Sequence, residues 1–324
     1  MGRNSLSVAM CTFNGEAFLA KQLETIAAQT LAPDELVVCD DCSTDGTQSL
    51  LDSFARCAPF KVRLFLNKER RGVARNFEQA IQYCVGDLIF LADQDDAWHL
   101  DKLRQLTESF KAGTDVGLGF CDLNIVDESF RKLRRTQWEA VGFSPAMMRS
   151  FANGKAFEAL LRYNVVNGNA MGFRSSLRKY LFPIGEGWMH DEWIALIASA
   201  FSTIVPVMRP LVDYRQHPSQ EVGPGKHGLV DQYRYARASM DREYFERMHR
   251  RTYAALERLQ QWPGDLKNES LLPLLHARLD HVAARLQLRN LNIHRLPIVA
   301  REVLLRNYWR FGYGWKSVAQ DLFL

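Results

Sequence analysis

Leu88-Ile-Phe-Leu-Ala-Asp-Gln-Asp-Asp-Ala-Trp98 is an apolar run that ends abruptly in three carboxylates, Asp93, Asp95 and Asp96. A short apolar run bounded by turn-forming polar residues predicts a buried strand. Parallel α/β sheets bind ligands just beyond the carboxyl ends of their strands, so the three acids stand where a ligand would sit. Clustered there, they repel one another unless something positive neutralises them. Hard carboxylate oxygens suit Mg²⁺ or Mn²⁺, bridging to a phosphate. The plainer alternative is a solvated loop that happens to be acidic.

Working outward, apolar runs alternate with helical patterns through the first half. Strands are predicted at Leu6–Phe13, Glu35–Asp40 and Val62–Leu66, ahead of the one beginning at Leu88. Helices are predicted from about Glu16 to Gln29, with Phe18, Leu19, Leu23, Ile26 and Ala27 on one face, then from Gly46 to Arg56 and from Val73 to Tyr83. This βαβαβαβ rhythm predicts a mostly parallel α/β sheet, Rossmann-like, with helices on both faces. No G-x-G-x-x-G turn follows the first strand, so the usual dinucleotide fingerprint is absent. Further on, Val116–Val126 reads as a strand and the basic stretch Asp127–Gln137 as a loop. Asn167-Gly-Asn169 is a turn signal before another short strand. Pro218–Gly228 has linker composition, dividing a catalytic domain, 1–225, from a helical one, 226–324. In the second, Leu229–Gln261, Lys267–Leu291 and Pro297–Phe311 are helical by pattern.

The chain has 324 residues, with 47% hydrophobic and 24% charged, ordinary for globular protein. Its net charge of +4 hides an asymmetry: residues 1–225 carry 24 Lys and Arg against 27 Asp and Glu, and residues 226–324 carry 17 against 10. A mildly acidic first part and a basic helical tail suggest two jobs, one chemical and one of location. No stretch resembles a signal peptide, and the longest uncharged run, Trp193 to Met208, falls short of the ~20 residues of a spanning helix and contains Pro206. The expected location is the cytoplasm or the inner face of the cytoplasmic membrane. Six scattered cysteines form no disulfide framework. Cys39-Asp-Asp-Cys42 matches Cys-x-x-Cys, but the two carboxylates raise the thiol pKa, the wrong direction for redox work. A zinc site would need a second ligand pair, and none is evident. These thiols read as small buried residues in a reducing compartment.

Each early strand ends in a different polar set: Thr12-Phe13-Asn14-Gly15-Glu16 after the first, Asp40-Asp-Cys-Ser-Thr-Asp-Gly-Thr47 after the second, and Asn67 with Arg70, Arg71 and Gly72 after the third. One such terminus is an ordinary helix start. Four on one sheet edge make a cleft with acceptors for a base and ribose, cations for phosphates and a metal site. The series Thr-Phe-Asn-Gly, Asp-Asp-x-Ser-Thr-Asp-Gly-Thr, Gly72-Val-Ala-Arg-Asn-Phe77, Gly86-Asp-x-Ile-Phe-Leu91 and Asp93-Gln-Asp-Asp-x-Trp98 resembles family 2 glycosyltransferases in order and spacing over residues 5–110. Met189-His-Asp-Glu-Trp-Ile-Ala-Leu196 and Tyr214-Arg-Gln-His217 extend the resemblance to about residue 217 and look most like the bacterial rhamnosyltransferase branch, which builds O-antigen and other surface polysaccharides.

The resemblance implies the GT-A fold and an inverting, metal-dependent transfer from a nucleotide-diphosphate sugar, such as dTDP-rhamnose, to a glycan or lipid-linked acceptor. It places Asp41 on the donor's pyrimidine, with Thr12, Phe13, Asn14 and Glu16 in the same region and Arg71, Arg75 and Arg215 toward the phosphates. Asp93 and Asp95 match the Asp-x-Asp pair that holds Mn²⁺ or Mg²⁺, with Asp96 at the metal or the donor sugar, Gln94 on the donor side and His217 near the metal. Asp191 matches the catalytic base, opening a helix that runs through Trp193, Leu196 and Ile197; inversion needs one carboxylate to take the acceptor hydroxyl's proton. His190, Asn167 and Gly168 fall on the acceptor side, although Asn167-Gly-Asn-Ala-Met171 departs from the commoner Gly-Cys-Thr pattern. The Gln-x-x-Arg-Trp signature of processive synthases is missing, which implies one sugar per encounter.

For several of these residues a plainer reading stands beside the functional one. Asp41 and Asp191 are each in position to cap a helix, Arg71 and Arg75 are ordinary surface cations, and His190 fits a core as well as an acceptor site. The competing functions are a nucleotidyltransferase of similar fold, which wants a glycine-rich loop where Cys11-Thr-Phe-Asn-Gly15 stands, and a phosphotransferase of the haloacid-dehalogenase type, which wants Thr or Val at Ala97. A non-catalytic scaffold is the third, disfavoured because every metal and base position is filled. In the tail, Arg295, Arg301, Arg306, Arg310 and Lys316 interleave with apolar and aromatic residues, which suits an anionic membrane surface or a helical domain packed on the catalytic one or on a second subunit of a homo-oligomer. Nucleic acid is not an expected partner, since the catalytic half is not basic.

Overall fold

The structure is a computed structural model, and it describes residues 3–217, 241–289 and 294–323. These divide into two compact units, one holding 3–184 and 188–217, the other 185–187, 241–289 and 294–323. The domain boundary expected near 225 and the start of the helix expected from Leu229 lie outside the described residues.

The first unit is built on a nine-stranded sheet. Strands β1 (Leu6–Thr12), β2 (Glu35–Asp40), β3 (Lys61–Leu66) and β4 (Leu88–Ala92) are parallel, in the order β3-β2-β1-β4. The sheet continues from β4 through β8 (Met171–Arg174), antiparallel to it, to β6 (Val116–Val126), β9 (Thr203–Arg215) and β5 (Ala97–Trp98). Strand β6 runs antiparallel to β8 and parallel to β9. Strands β1, β2, β4 and β6 are buried along nearly their whole length, the pattern of strands covered on both faces. Leu6, Val8, Met10, Leu36, Val38, Leu88 and Phe90 share one core with helices α1 (Leu19–Ala27), α2 (Thr47–Cys57) and α4 (Lys102–Ser109). On β1 and β2 also packs α3 (Val73–Tyr83), whose Asn76 Nδ2 donates to Cys39 O at 2.8 Å.

The stretch read as a loop, Asp127–Gln137, instead turns back as strand β7 (Lys132–Thr136), paired antiparallel with β6. Its Lys and Arg residues are what edge strands carry, so a polar composition concealed a strand. Asp127 Oδ1 closes the turn by accepting from Ser129 N and Arg131 N, both at 2.9 Å. All six cysteines are free thiols. Burial, more than the neighbouring carboxylates, pushes the Cys39 thiol up to about 11.

The second unit is helical: Arg242–Gln260, Leu271–Gln287, Arg295–Leu304, Asn307–Phe311 and Trp315–Phe323. The single helix expected over Pro297–Phe311 is broken at Arg306, whose φ is +57°. The break turns Asn307 and Tyr308 inward, where Asn307 Nδ2 donates to the buried Glu302 Oε2 at 2.8 Å and Tyr308 Oη to Asp321 Oδ2 at 2.8 Å.

Candidate active site

Strand β1 lies between β2 and β4, so the connections leave it in opposite directions and open a crevice at the carboxyl ends. Gln94 closes the crevice floor. Its amide accepts from Phe13 N at 2.9 Å and donates to Phe13 O at 3.0 Å, adding a rung beyond the paired strands. Expected on the donor side, Gln94 has its amide engaged with backbone.

The loops after β1 and β2 are stitched together by the residues expected to line the base pocket. Thr12 Oγ1 donates to Asp40 Oδ2 at 2.8 Å; Asn14 Oδ1 accepts from Thr44 N at 2.9 Å, and Glu16 Oε2 from Gly46 N at 2.8 Å. Asp41, 3% exposed, shapes the loop after β3. Its Oδ1 accepts from Arg71 N at 2.8 Å and Asn67 Nδ2 at 3.0 Å, and its Oδ2 from Gly72 N at 2.9 Å. Gly72 takes φ +76° there, a conformation that L side chains rarely adopt. The loop thus folded lays Arg70 over the Phe13 ring at 3.5 Å from its centroid. Arg71 contributes backbone to this turn, and Arg75 forms an exposed pair with Glu78 at 2.6 Å.

Beyond β4 the three acids part company. Asp95 Oδ2 meets His217 Nε2 at 2.9 Å, a contact across more than a hundred residues that β9 delivers. Asp93 stands beside it, half-buried. Burial, then the Asp95 and Asp191 carboxylates, push Asp93 up to about 7 against the pull of Lys102. Asp96 differs: it is fully buried, with Oδ2 accepting from Asn169 Nδ2 and Oδ1 from Arg215 N at 3.1 Å. Its pKa is raised, by burial first and by Asp95 and Asp93 after it. Expected at the metal or the sugar, Asp96 instead ties β4 to the turn before β8 and to the end of β9. The Arg215 guanidinium, expected toward phosphate, lies 4.1 Å from the Phe130 ring centroid and 5.0 Å from that of Phe18.

Sequence reasoning missed Lys102. It is completely buried, donates from Nζ to Asn169 O at 2.6 Å and sits 3.2 Å from the Trp98 ring centroid. Burial pulls it down to about 7, against the acids' opposing field. The signal was available: Lys102 shares the buried face of α4 with Leu103 and Leu106.

Asp191 lies in the first turn of the helix His190–Phe201, and its charge is felt at Asp93. His190, expected on the acceptor side, is packed into the interior. It is 5% exposed, stacks on Phe77 at 3.9 Å and 15°, and neither ring nitrogen has a hydrogen-bond partner among the described residues. Burial drops its pKa to about 3. A Cβ on Gly168 would stand 2.7 Å from His190 Nε2, so glycine lets the Asn167–Gly168 turn close over the ring.

No group of three or more His, Cys, Asp or Glu converges as a metal cage among the described residues. Asp93, Asp95 and His217 nonetheless fit Mg²⁺ or Mn²⁺ chemically, because such ions take one or two protein carboxylates and complete their shell with substrate phosphate and water.

A family model described as "Glycosyl transferase family 2" matches residues 7–181. Among curated relatives, the UDP-Glc:alpha-D-GlcNAc-diphosphoundecaprenol beta-1,3-glucosyltransferase WfgD of Escherichia coli is 32% identical over 99 residues, 31% of this chain and 38% of that protein. The dTDP-rhamnosyl transferase RfbG of Shigella flexneri is 31% identical over 99 residues, 29% of this chain and 34% of that protein. These matches span little more than a third of the relatives' own length. Among solved structures, S. aureus TarS 1–349 in complex with UDP-GlcNAc superposes with a TM-score of 0.53 at 15% identity, covering 86% of this chain and 87% of that one. The likeness identifies the architecture as GT-A.

Proposed function

The chain belongs to glycosyl transferase family 2, and we propose that within it the protein is an inverting, metal-dependent transferase that moves one L-rhamnose per encounter from dTDP-rhamnose to a glycan or lipid-linked acceptor of a bacterial surface polysaccharide of the O-antigen kind. The observation that carries this reading is the contact of Asp95 with His217 beyond β4, with Asp93 in the field of Asp95 and Asp191. Asp93 and Asp95, with His217 held against Asp95, would bind a divalent cation. That cation would offset charge on the departing nucleoside diphosphate. Asp191 takes the proton of the acceptor hydroxyl as its oxygen attacks the anomeric carbon from the face opposite the diphosphate, and inversion follows. Asp41 and its loop, with Arg70 on Phe13, form the wall for the nucleotide base. The rhamnosyl choice is supported by the Tyr214–His217 and Met189–Glu192 motifs and by the likeness to RfbG. A lipid-linked acceptor would be met at the inner face of the cytoplasmic membrane.

The test is a melting-temperature screen with Mn²⁺ against UDP-, GDP- and dTDP-sugars, followed by turnover of the sugar that shifts it. Asp191→Asn is expected to lower turnover about 10²–10⁴-fold while donor affinity holds. Wild-type rates in that variant would remove Asp191 as the base; donor binding indifferent to Mn²⁺ would remove the metal.

A further inference from the structure

We infer that the end of the helical unit is a docking surface for an anionic lipid bilayer. Leu304, Leu305, Tyr313 and Trp315 are 83%, 54%, 56% and 68% exposed, and Trp309 is 36% exposed. They cluster at the two turns joining the last three helices. Trp309 and Trp315 meet edge to face at 5.0 Å, a rigid pair of indoles. Exposed apolar patches of this kind mark protein or membrane contacts rather than plain surface.

Charge selects between them. Arg301, Arg306, Arg310 and Lys316 are exposed around the patch. The only acids between residues 294 and 323, Glu302 and Asp321, are 1% and 0% exposed and bonded inward, to His281 and Asn307 and to Arg285, Arg289 and Tyr308 respectively. Every solvent-facing charge of the segment is therefore positive. Protein-binding patches are depleted of charge at their centre, and nucleic acid gains nothing from paired leucines at a turn. Leucine and indole at the headgroup boundary, ringed by cations, match an anionic bilayer. No helix among the described residues is long and apolar enough to cross a membrane, so this contact is a surface one. The inference rests on the proposed lipid-linked acceptor only for its purpose; vesicle binding needs no sugar, so the two readings fail separately.

The experiment is flotation of the full chain with phosphatidylcholine vesicles, with and without phosphatidylglycerol. Binding is expected only with the anionic lipid and should fade with salt. Each cation removed weakens partition about fivefold, so Arg306→Gln with Arg310→Gln loses roughly 25-fold. Trp315→Ser should also weaken binding, while turnover on a soluble acceptor is retained in both variants. The proposal is overturned by equal binding to pure phosphatidylcholine, by no binding, or by anionic binding that ignores these substitutions. A dimer that Leu305→Asp dissociates would assign the face to a second copy of the chain, and retention on single-stranded DNA without vesicle binding would assign it to nucleic acid.

Discussion

Asp321 in the helical unit and Asp96 beyond β4 are both fully buried, and their surroundings differ sharply. Asp321 receives Arg285 Nε at 2.7 Å and Nη2 at 3.0 Å, Arg289 Nη2 at 2.7 Å and Tyr308 Oη at 2.8 Å. Asp96 receives one side-chain amide and one backbone N–H, with Asp93 and Asp95 nearby and Lys102 drawn into the same field. Nearby in the helical unit, hydrogen bonds from His281 and Asn307 hold Glu302 low although burial opposes them; in the cleft, burial and like charges push Asp93 up. A closed network satisfies its own charges and builds architecture. An open one gathers like charges that a bound cation would offset.

The strongest test of that contrast is a pair of substitutions. Asp321→Ala strands two guanidinium groups and is expected to cost roughly 3–5 kcal/mol. Asp95→Asn relieves repulsion, so metal-free stability should stay within about 1 kcal/mol of wild type or rise, while the Mn²⁺ shift and turnover vanish. Urea titrations of both variants decide it, and equal losses would erase the distinction.

Acid provides the next. His190 is neutral and buried with a folded pKa of about 3, so the unfolded chain takes up its proton first. Its contribution is constant above about pH 6.5 and is lost as pH falls toward 3, by up to roughly 4 kcal/mol. Asp93, with its raised pKa, acts with the opposite sign below about 7, so the reading is the difference between wild type and His190→Gln across that window. Identical slopes would return His190 to solvent. The smallest effect belongs to Lys102→Met, which leaves Asn169 O without its donor and should cost roughly 1–3 kcal/mol in the same titration.

Strands β2 and β6 and helix α3 run over the residues their patterns predict, because buried strands and amphipathic helices write their periods locally. The acids of 93–96 were visible for the same reason, whereas Asp191 was singled out only by the family resemblance at Met189–Leu196. What escaped were features whose sign depends on distant partners. Strand β7 hides because an edge strand resembles a loop, and the break at Arg306 hides because Tyr308 must reach Asp321, thirteen residues on. Asp41, Asn14 and Glu16 were legible as cleft residues, but not as the fasteners of three neighbouring loops.

From its amino acids alone this chain specified an alternating sheet-and-helix domain, acids at the end of the fourth strand, and a basic helical tail, since each is set by neighbours within a few turns. Only the folded molecule decided that Asp95 keeps His217 for company, that Asp96 is bound into the frame, and that Lys102 lies beneath them. Desolvation and Coulomb forces depend on which groups meet in space, and strand β9 brings Arg215 and His217 to the acids from the far end of the domain.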